Sequence, residues 1–398
     1  NPEFWAKEAQ RSLFVENSAM LIANTQLRNL AAGEGDTFHR VILSYPRRST
    51  YTPGSDITFS TLSSSDASLS IATWFESSVR VDDTEKRQSI VDIGKEAARR
   101  IMKNHNNSIE QAVLYQVYNA THLLDDGNIG GTDGNRAIVN TSTVPQLFTA
   151  ADVLLDSVDA PRNGRVAVFG GHILQQLRLQ QAGRATNFGD VVNARGEIGQ
   201  LFGWRLIYNN NLPYNARLTI STNPTAADTV TVAGVVFTFN TAIGTTAGSI
   251  VIGGTANASA LYFAAAINDS NTAATGLRDS QYVDISSDNR FLLQDKRRIV
   301  ATYSGTTVDI SGFGDIVVSE TLTAAANVWS RREQNALFCS VGSVHQIVQI
   351  PPVLEVARDP DQFADIVKSL LGYGVQTFAD GAREMVRVQV DAGQTDWS

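Results

Sequence analysis

Between Arg195 and Pro213 the chain reads RGEIGQLFGWRLIYNNNLP, a segment with few choices of local structure. Gly196, Gly199 and Gly203 are positions where φ can turn positive or two backbones can come close. Trp204, Arg205, Leu206, Ile207 and Tyr208 suit a half-buried strand, and the Asn-rich stretch closed by Leu-Pro stops it. Such a turn and strand fit many mixed domains, so the constraint comes from what stands around them and in what order.

Upstream, Leu154-Leu155-Asp156 ends a helical pattern, Pro161 to Arg165 makes a turn, and Val166-Ala167-Val168-Phe169 supplies a strand. Downstream, Asp359 can cap a helix, Pro360 fits its first position, and Phe363, Ile366, Val367, Leu370 and Leu371 form its apolar stripe. Gly372 closes it, so the run from Leu370 to Val375 predicts a helix end near the C-terminus. Val386, Val388 and Val390 then alternate with Arg387 and Gln389 as a last strand. Earlier, Ile90, Ile93, Ala97 and Ile101 lie on one helical stripe opposite Lys95, Glu96, Arg99 and Lys103. Ser108 with Gln111 predicts a capped second helix through Ile109, Val113, Val117 and Ala120. Ile57, Phe59 and Thr61, then Leu69, Ile71 and Thr73, alternate on either side of a Ser63 to Asp66 turn, which predicts a hairpin. Two strands alone are marginal in water, so this hairpin needs another surface, in a neighbouring copy or in its own sheet. The mixture reads as α+β.

This ordered set resembles the major capsid proteins of tailed bacteriophages, the Hong Kong phage-type shell fold shared with encapsulins and herpesvirus shells. The resemblance covers residues 1–215 and 329–392, about seven-tenths of the chain. It implies an N-terminal arm (1–43), an extended β-hairpin loop (44–83), a peripheral domain with a spine helix (84–145) and an axial domain in two parts (146–215 and 329–398). In the arm, Leu13, Phe14, Leu21, Ile22, Leu27 and Leu30 recur at helical spacing, which an ordinary helix packed on its own domain would also explain. The implied contacts between subunits are Phe4, Trp5, Leu13 and Phe14 in the arm, Arg47, Arg48, Ile57, Phe59, Leu69 and Ile71 in the loop, and Trp74 and Phe75 near its base.

The implied function is self-assembly into pentamers and hexamers of an icosahedral shell around double-stranded DNA, held without sequence-specific binding, in the virion of a tailed phage assembled in the host cytoplasm. Portal, scaffolding and decoration proteins are the implied partners; cofactors, metals, membranes and enzymatic activity are not expected. Some such shells are chained by an isopeptide bond from a loop lysine. Residues 44–83 contain Arg47, Arg48 and Arg80 but no lysine, which predicts a non-covalent shell. Rival readings are an encapsulin-type compartment, a tail or decoration protein, and a hydrolase using Asp125, Asp126 or Cys339.

Composition breaks within the axial region. From Thr219 to Asn268 the only charged residue is Asp228. Thr229–Val232 and Val235–Phe239 read as a hairpin, and Ala258–Asn268 as an Ala-rich helix. Further strands are predicted at Tyr282–Ile285, Phe291–Leu293, Ile299–Tyr303, Val308–Ile310 and Ile316–Val318. Residues 216–328 therefore read as an inserted, mostly β domain, similar to small modules of phage structural proteins; one continuous β domain is the alternative. Insertion suits an exposed loop whose ends lie close together.

A chain of 398 residues exceeds a single core, and 43% hydrophobic with 18% charged residues indicates folded domains. The net charge of −8 argues against a general polyanion binder. A single cysteine, Cys339, excludes an internal disulfide. No apolar run approaches the ~20 residues that cross a bilayer. The start at Asn1 reads equally as a segment removed on maturation or as a start left out.

Catalytic signals are weak. His39, His105, His122, His172 and His345 show no metal-ligand spacing. The Asp125 to Gly134 loop suggests calcium, but an EF-hand begun at Asp126 puts Ala137 where a bidentate Glu belongs. Gly312-Phe313-Gly314 lacks its third glycine at Val317, Cys339 near His345 has no implied geometry, and Lys296-Arg297-Arg298 is a short basic run that suits a solvated edge.

Overall fold

The computed structural model describes residues 21–25, 37–44, 46, 48–57, 59, 61–88, 93–182, 200–269, 277–314, 316–392. Phe4, Trp5, Leu13, Phe14, Arg47, Ile90, Gly196 and Gly199 lie outside them. The chain forms two units: 1–15, 23–105 and 344–378 in the first; 16–22, 106–343 and 379–398 in the second.

Chain order begins with β1 (Ala23–Asn24), β2 (Thr37–Leu43), β3 (Ser64–Ser70) and β4 (Thr73–Asp82), followed by α1 (Asp83–Gln88) and α2 (Ile93–Tyr115). Next come β5 (His122–Leu124), α3 (Val144–Asp156), β6 (Arg165–Phe169), α4 (Gly171–Ala182), β7 (Gln200–Leu201), β8 (Trp204–Tyr208) and β9 (Pro213–Thr219). The central stretch holds β10 (Thr229–Val232), β11 (Val235–Asn240), β12 (Ser249–Val251), α5 (Ala256–Asn268), α6 (Ser287–Arg290), β13 (Val300–Ser304), β14 (Thr307–Phe313) and β15 (Val318–Glu320). It closes with β16 (Val328–Ser340), β17 (Val344–Arg358), β18 (Ala364–Gln376), α7 (Ala379–Arg383) and β19 (Met385–Asp391). The α+β reading stands.

In the first unit, a four-stranded sheet runs β1-β17-β18-β4. Helix α2 lays Ala98, Ile101 and Met102 on Leu354 and Val367 of this sheet. The helix is amphipathic in the sense the sequence predicted, with Lys95, Arg99 and Lys103 exposed and Glu96 bonded to Arg100 at 3.1 Å. The predicted pair of helices is one continuous helix, a correction. Ser108 stays helical because its neighbours Ile109, Glu110, Val113 and Leu114 are all buried, and that packing outweighs a local cap.

The C-terminal helix is corrected to strand β18. Asp359-Pro360 turns a hairpin instead of starting a helix: Asp359 Oδ1 accepts the Asp361 N–H at 3.0 Å, an Asx turn between β17 and β18. Val367, Ser369, Leu371 and Tyr373 are buried while Lys368 and Leu370 are exposed, a period of two. Pairing to β4 over ten residues and to β17 over eleven outweighs the apolar spacing, and Gly372 and Gly374 are poor helix formers in any case.

The predicted hairpin exists with different strands. Thr37↔Ser70 through Leu43↔Ser64 is its register, so Ser64 to Asp66 lie in a strand and not in the turn, and Ile57, Phe59 and Thr61 lie in a tip without strand. The reason is at the base: Leu69 and Ile71 pack on Ile347 and Phe378, and that burial sets the register of β3.

In the second unit a sheet runs β13-β14-β9-β16-β6-β8-β7, with β19 on β16 and β5 on β19. β6 is buried along its whole length, as a central strand must be, and pairs in parallel with β8. The opening segment is a tight hairpin: Phe202 (φ 52) and Gly203 (φ 83) turn β7 back onto β8 with both central residues left-handed. Around Trp204 the core gathers Phe148 of α3 and Phe338 of β16, whose ring centroid lies 5.1 Å from each of the other two. The predicted last strand is β19.

A second sheet, β12-β11-β10-β15, carries α5, which Thr255 caps at Ala258 N–H. The predicted β10–β11 hairpin turns at Ala233 and Gly234, both at positive φ. Two predicted strands here are corrected. Tyr282 makes only isolated bridges, and Phe291 to Leu293 lie in helical turns from Ser287 to Lys296. There Ser286 caps Asn289, and Arg290 bonds the Ala266 and Ile267 carbonyls, so local capping outweighs β propensity. The last three predicted strands correspond to β13, β14 and β15, the third beginning at Val318. Strands β9 and β16 are neighbours, with Thr219 opposite Val328.

Candidate assembly surfaces

Exposed apolar groups of the first unit gather in two places, and Phe363, 85% exposed, stands apart from both between β17 and β18. At the hairpin tip, between β2 and β3, Ile57 is 67% and Phe59 89% exposed, with Arg48, Tyr51 and Leu62 also exposed. On the outer face of the sheet, Trp74 is 49% and Leu370 44% exposed, and Val353 stands opposite Leu370. Trp74 lies against Gly372, where a Cβ would meet the indole at 2.4 Å. Beyond this patch the face turns polar: Lys368 bonds Glu355 at 3.1 Å, flanked by Ser78. Leu69 and Ile71 point inward at the hairpin base, and Phe75 stacks on Tyr373 at 6.2 Å. Of the sequence-derived contact residues, Arg48, Ile57, Phe59 and Trp74 therefore face outward, whereas Leu69 and Ile71 belong to the chain's own core.

Gly374 and Gly372 explain a pattern that the sequence analysis assigned to a helix end. A Cβ on Gly374 would lie 2.5 Å from the Ser70 carbonyl oxygen, so only glycine lets the hairpin base seat on β18.

In the second unit, the C-terminal half of α2 is tied to the Asn-rich stop. Asn209 Nδ2 donates to Glu110 Oε1 at 2.8 Å, and Asn211 Nδ2 to Glu110 Oε2 and Asn107 Oδ1, both at 2.6 Å. Gln111 Nε2 donates to the Lys296 carbonyl at 2.9 Å. In the sequence these asparagines read only as a stop; the pairing with Glu110 is invisible at a separation of about 100 residues. Glu333, fully buried, takes Arg387 at 2.7 Å and Arg331 at 2.5 Å.

The chemical candidates are occupied structurally. Asp126 accepts the Thr132 N–H (3.0 Å) and the Ile138 N–H (3.3 Å), and Asp125 the Gly134 N–H (2.9 Å), so these carboxylates fold their own loop. Burial, with the nearby Glu384 charge, pushes the Cys339 thiol up to about 12, the wrong direction for a nucleophile. Burial holds His105 below its ordinary value. His345 stacks on Phe378 at 4.8 Å. Among the described residues no group of three His, Cys, Asp or Glu side chains could hold a metal, and no helix is long and apolar enough to cross a membrane.

No protein-family model and no curated protein matches the sequence. Solved structures do match. One, from Mycobacterium phage Che8, superposes with a TM-score of 0.54 over 94% of this chain and 90% of its own, at 14% identity. This chain shares the α+β fold of that phage structure. Capsid structures of cyanophage P-SCSP1u (TM-score 0.48, 11% identity, 89% of this chain and 83% of that one) and of the mature bacteriophage PhiM1 particle (0.47, 12%, 93% and 88%) also align.

Proposed function

We propose that this chain is the major capsid protein of a tailed double-stranded DNA phage, assembling into pentamers and hexamers of an icosahedral shell. The observation that carries this is a fold shared with a structure from Mycobacterium phage Che8 over 94% of the chain. The exposed tip around Ile57 and Phe59 and the Trp74–Leu370–Val353 patch support it: an isolated subunit would gain by covering them. Standard contacts of roughly 1,600 Å² can each be modest because every subunit makes several at once. The net charge of −8 suits a wall that encloses DNA without gripping it. In this reading residues 1–43 are the arm, the region 44–83 reaches a neighbour, and 216–328 is an insertion that leaves and re-enters through neighbouring strands. The protein is structural and resides in the virion, with portal, scaffolding or decoration proteins as partners.

Negative-stain electron microscopy, with nuclease-protected DNA assayed on the same sample, tests the proposal. Uniform shells that hold DNA when taken from virions are expected. Shells loaded with protein cargo instead would favour an encapsulin-type compartment, and a dispersed monomer under every assembly condition would overturn the shell reading.

A further inference from the structure

We propose that β4 is a self-pairing edge, joining the same strand of a second copy in antiparallel fashion about a two-fold axis at Ser78. This deepens the shell reading, on which the placing of the contact between two shell subunits rests. Among the described residues β4 pairs with β18 alone, so one side of a ten-residue strand is open. It contains neither proline nor glycine, and its register with β18 is free of bulges, so the backbone itself does nothing to blunt this edge; its charges, Glu76 and Arg80, do so only against a partner that does not match them.

The side chains choose the partner and the register. Glu76 and Arg80 are both exposed, lie on the outer face with Trp74 and Ser78, and have no ion-pair partner among the described residues. A two-fold at Ser78 sets Ser77 against Val79 and Glu76 of each copy against Arg80 of the other, two symmetric ion pairs. Moving the axis to Ser77 sets Glu76 against Ser78 and leaves both charges unmatched. Moving it to Val79 sets Glu76 against Asp82, like against like. Directly opposed opposite charges stabilise an antiparallel pair and opposed like charges destabilise it. An axis perpendicular to the sheet keeps outer face with outer face, so the two four-stranded sheets become one continuous sheet.

The test is cross-linking of Ser78→Cys with a short bis-maleimide on the full chain, in shells and in solution; Cys339 is buried and does not interfere. A single dimer band is expected, at least about tenfold stronger than from Ser77→Cys, which faces the other side of the sheet. Glu76→Arg or Arg80→Glu alone should weaken dimerisation roughly tenfold, and the double reversal should restore it to within about threefold. Equal cross-linking of the two cysteine variants, or a double reversal no better than the single ones, overturns the proposal. Shells without a Ser78 cross-link would refute the edge contact and leave the capsid reading; dimers that never build shells would do the opposite.

Discussion

Replacing Gly374 by alanine isolates the close approach that seats the hairpin on the sheet. The new Cβ would stand 2.5 Å from the Ser70 carbonyl oxygen and 3.0 Å from Leu69 Cδ2, about 0.9 Å short of ordinary contact at the oxygen. The obstacle is backbone in a paired strand, so β3 must shift as a unit, and overpacking of this kind costs ~1–3 kcal/mol. Loss of chain entropy in the unfolded state returns ~0.4–1 kcal/mol, leaving a net destabilisation of about 1–2 kcal/mol. Gly372→Ala is the internal control. Its Cβ would meet the Trp74 indole at 2.4 Å, a nominally worse clash, but that ring is half-exposed and can swing into solvent. Uncovering ~50 Å² of indole costs about 1 kcal/mol, which the entropy term largely cancels. Urea denaturation at fixed protein concentration, with proteolysis of the 44–63 tip as a local readout, should therefore rank Gly374→Ala below Gly372→Ala by about 1 kcal/mol, with faster tip cleavage only in the former. Equal stabilities, or the reverse order, would refute the argument that backbone contact and not distance alone decides the cost.

Glu110→Ala removes the carboxylate that the Asn209 and Asn211 amides donate to, Asn211 keeping its bond to Asn107, and should cost about 2 kcal/mol, with Glu110→Gln nearer 1, measured by chemical denaturation. Cys339 should resist maleimide at neutral pH in the folded protein and react at once in denaturant. Its raised pKa means the folded state holds this proton more tightly, so the stability it contributes is intact below its usual 9.0 and is lost as pH rises toward about 12, visible as a falling denaturation midpoint over that range. Intact particles boiled in detergent should run as monomers, because no lysine lies in residues 44–83; a ladder of linked subunits would contradict the non-covalent shell.

Much of the fold was legible wherever local chemistry and tertiary need agree. The β10–β11 turn, the Ala-rich α5, the end of α3 at Asp156, and β6, β8 and β19 follow from patterns that burial then reinforces, whereas the Thr255 cap of α5 came only with the structure. The candidate surfaces were legible in part: Ile57, Phe59 and Trp74 are outward, but Leu69 and Ile71, of the same apolar character, are core. Alternation alone cannot say which of two apolar rows faces solvent, because that depends on Ile347 and Phe378 from the far end of the chain.

By itself the sequence determined the α+β mixture, the turns that take positive φ at Gly203 and Gly234, the absence of an internal disulfide, and the net charge of −8. Only the tertiary structure decided that residues 364–376 are a strand and that Ser108 lies inside a helix. It also decided that Gly372 and Gly374 serve contacts to Trp74 and Ser70 rather than a helix end. The physical reason is that local preferences amount to a few tenths of a kcal/mol per residue, while a strand paired on both sides or a helix face buried on a sheet gains several kcal/mol in total.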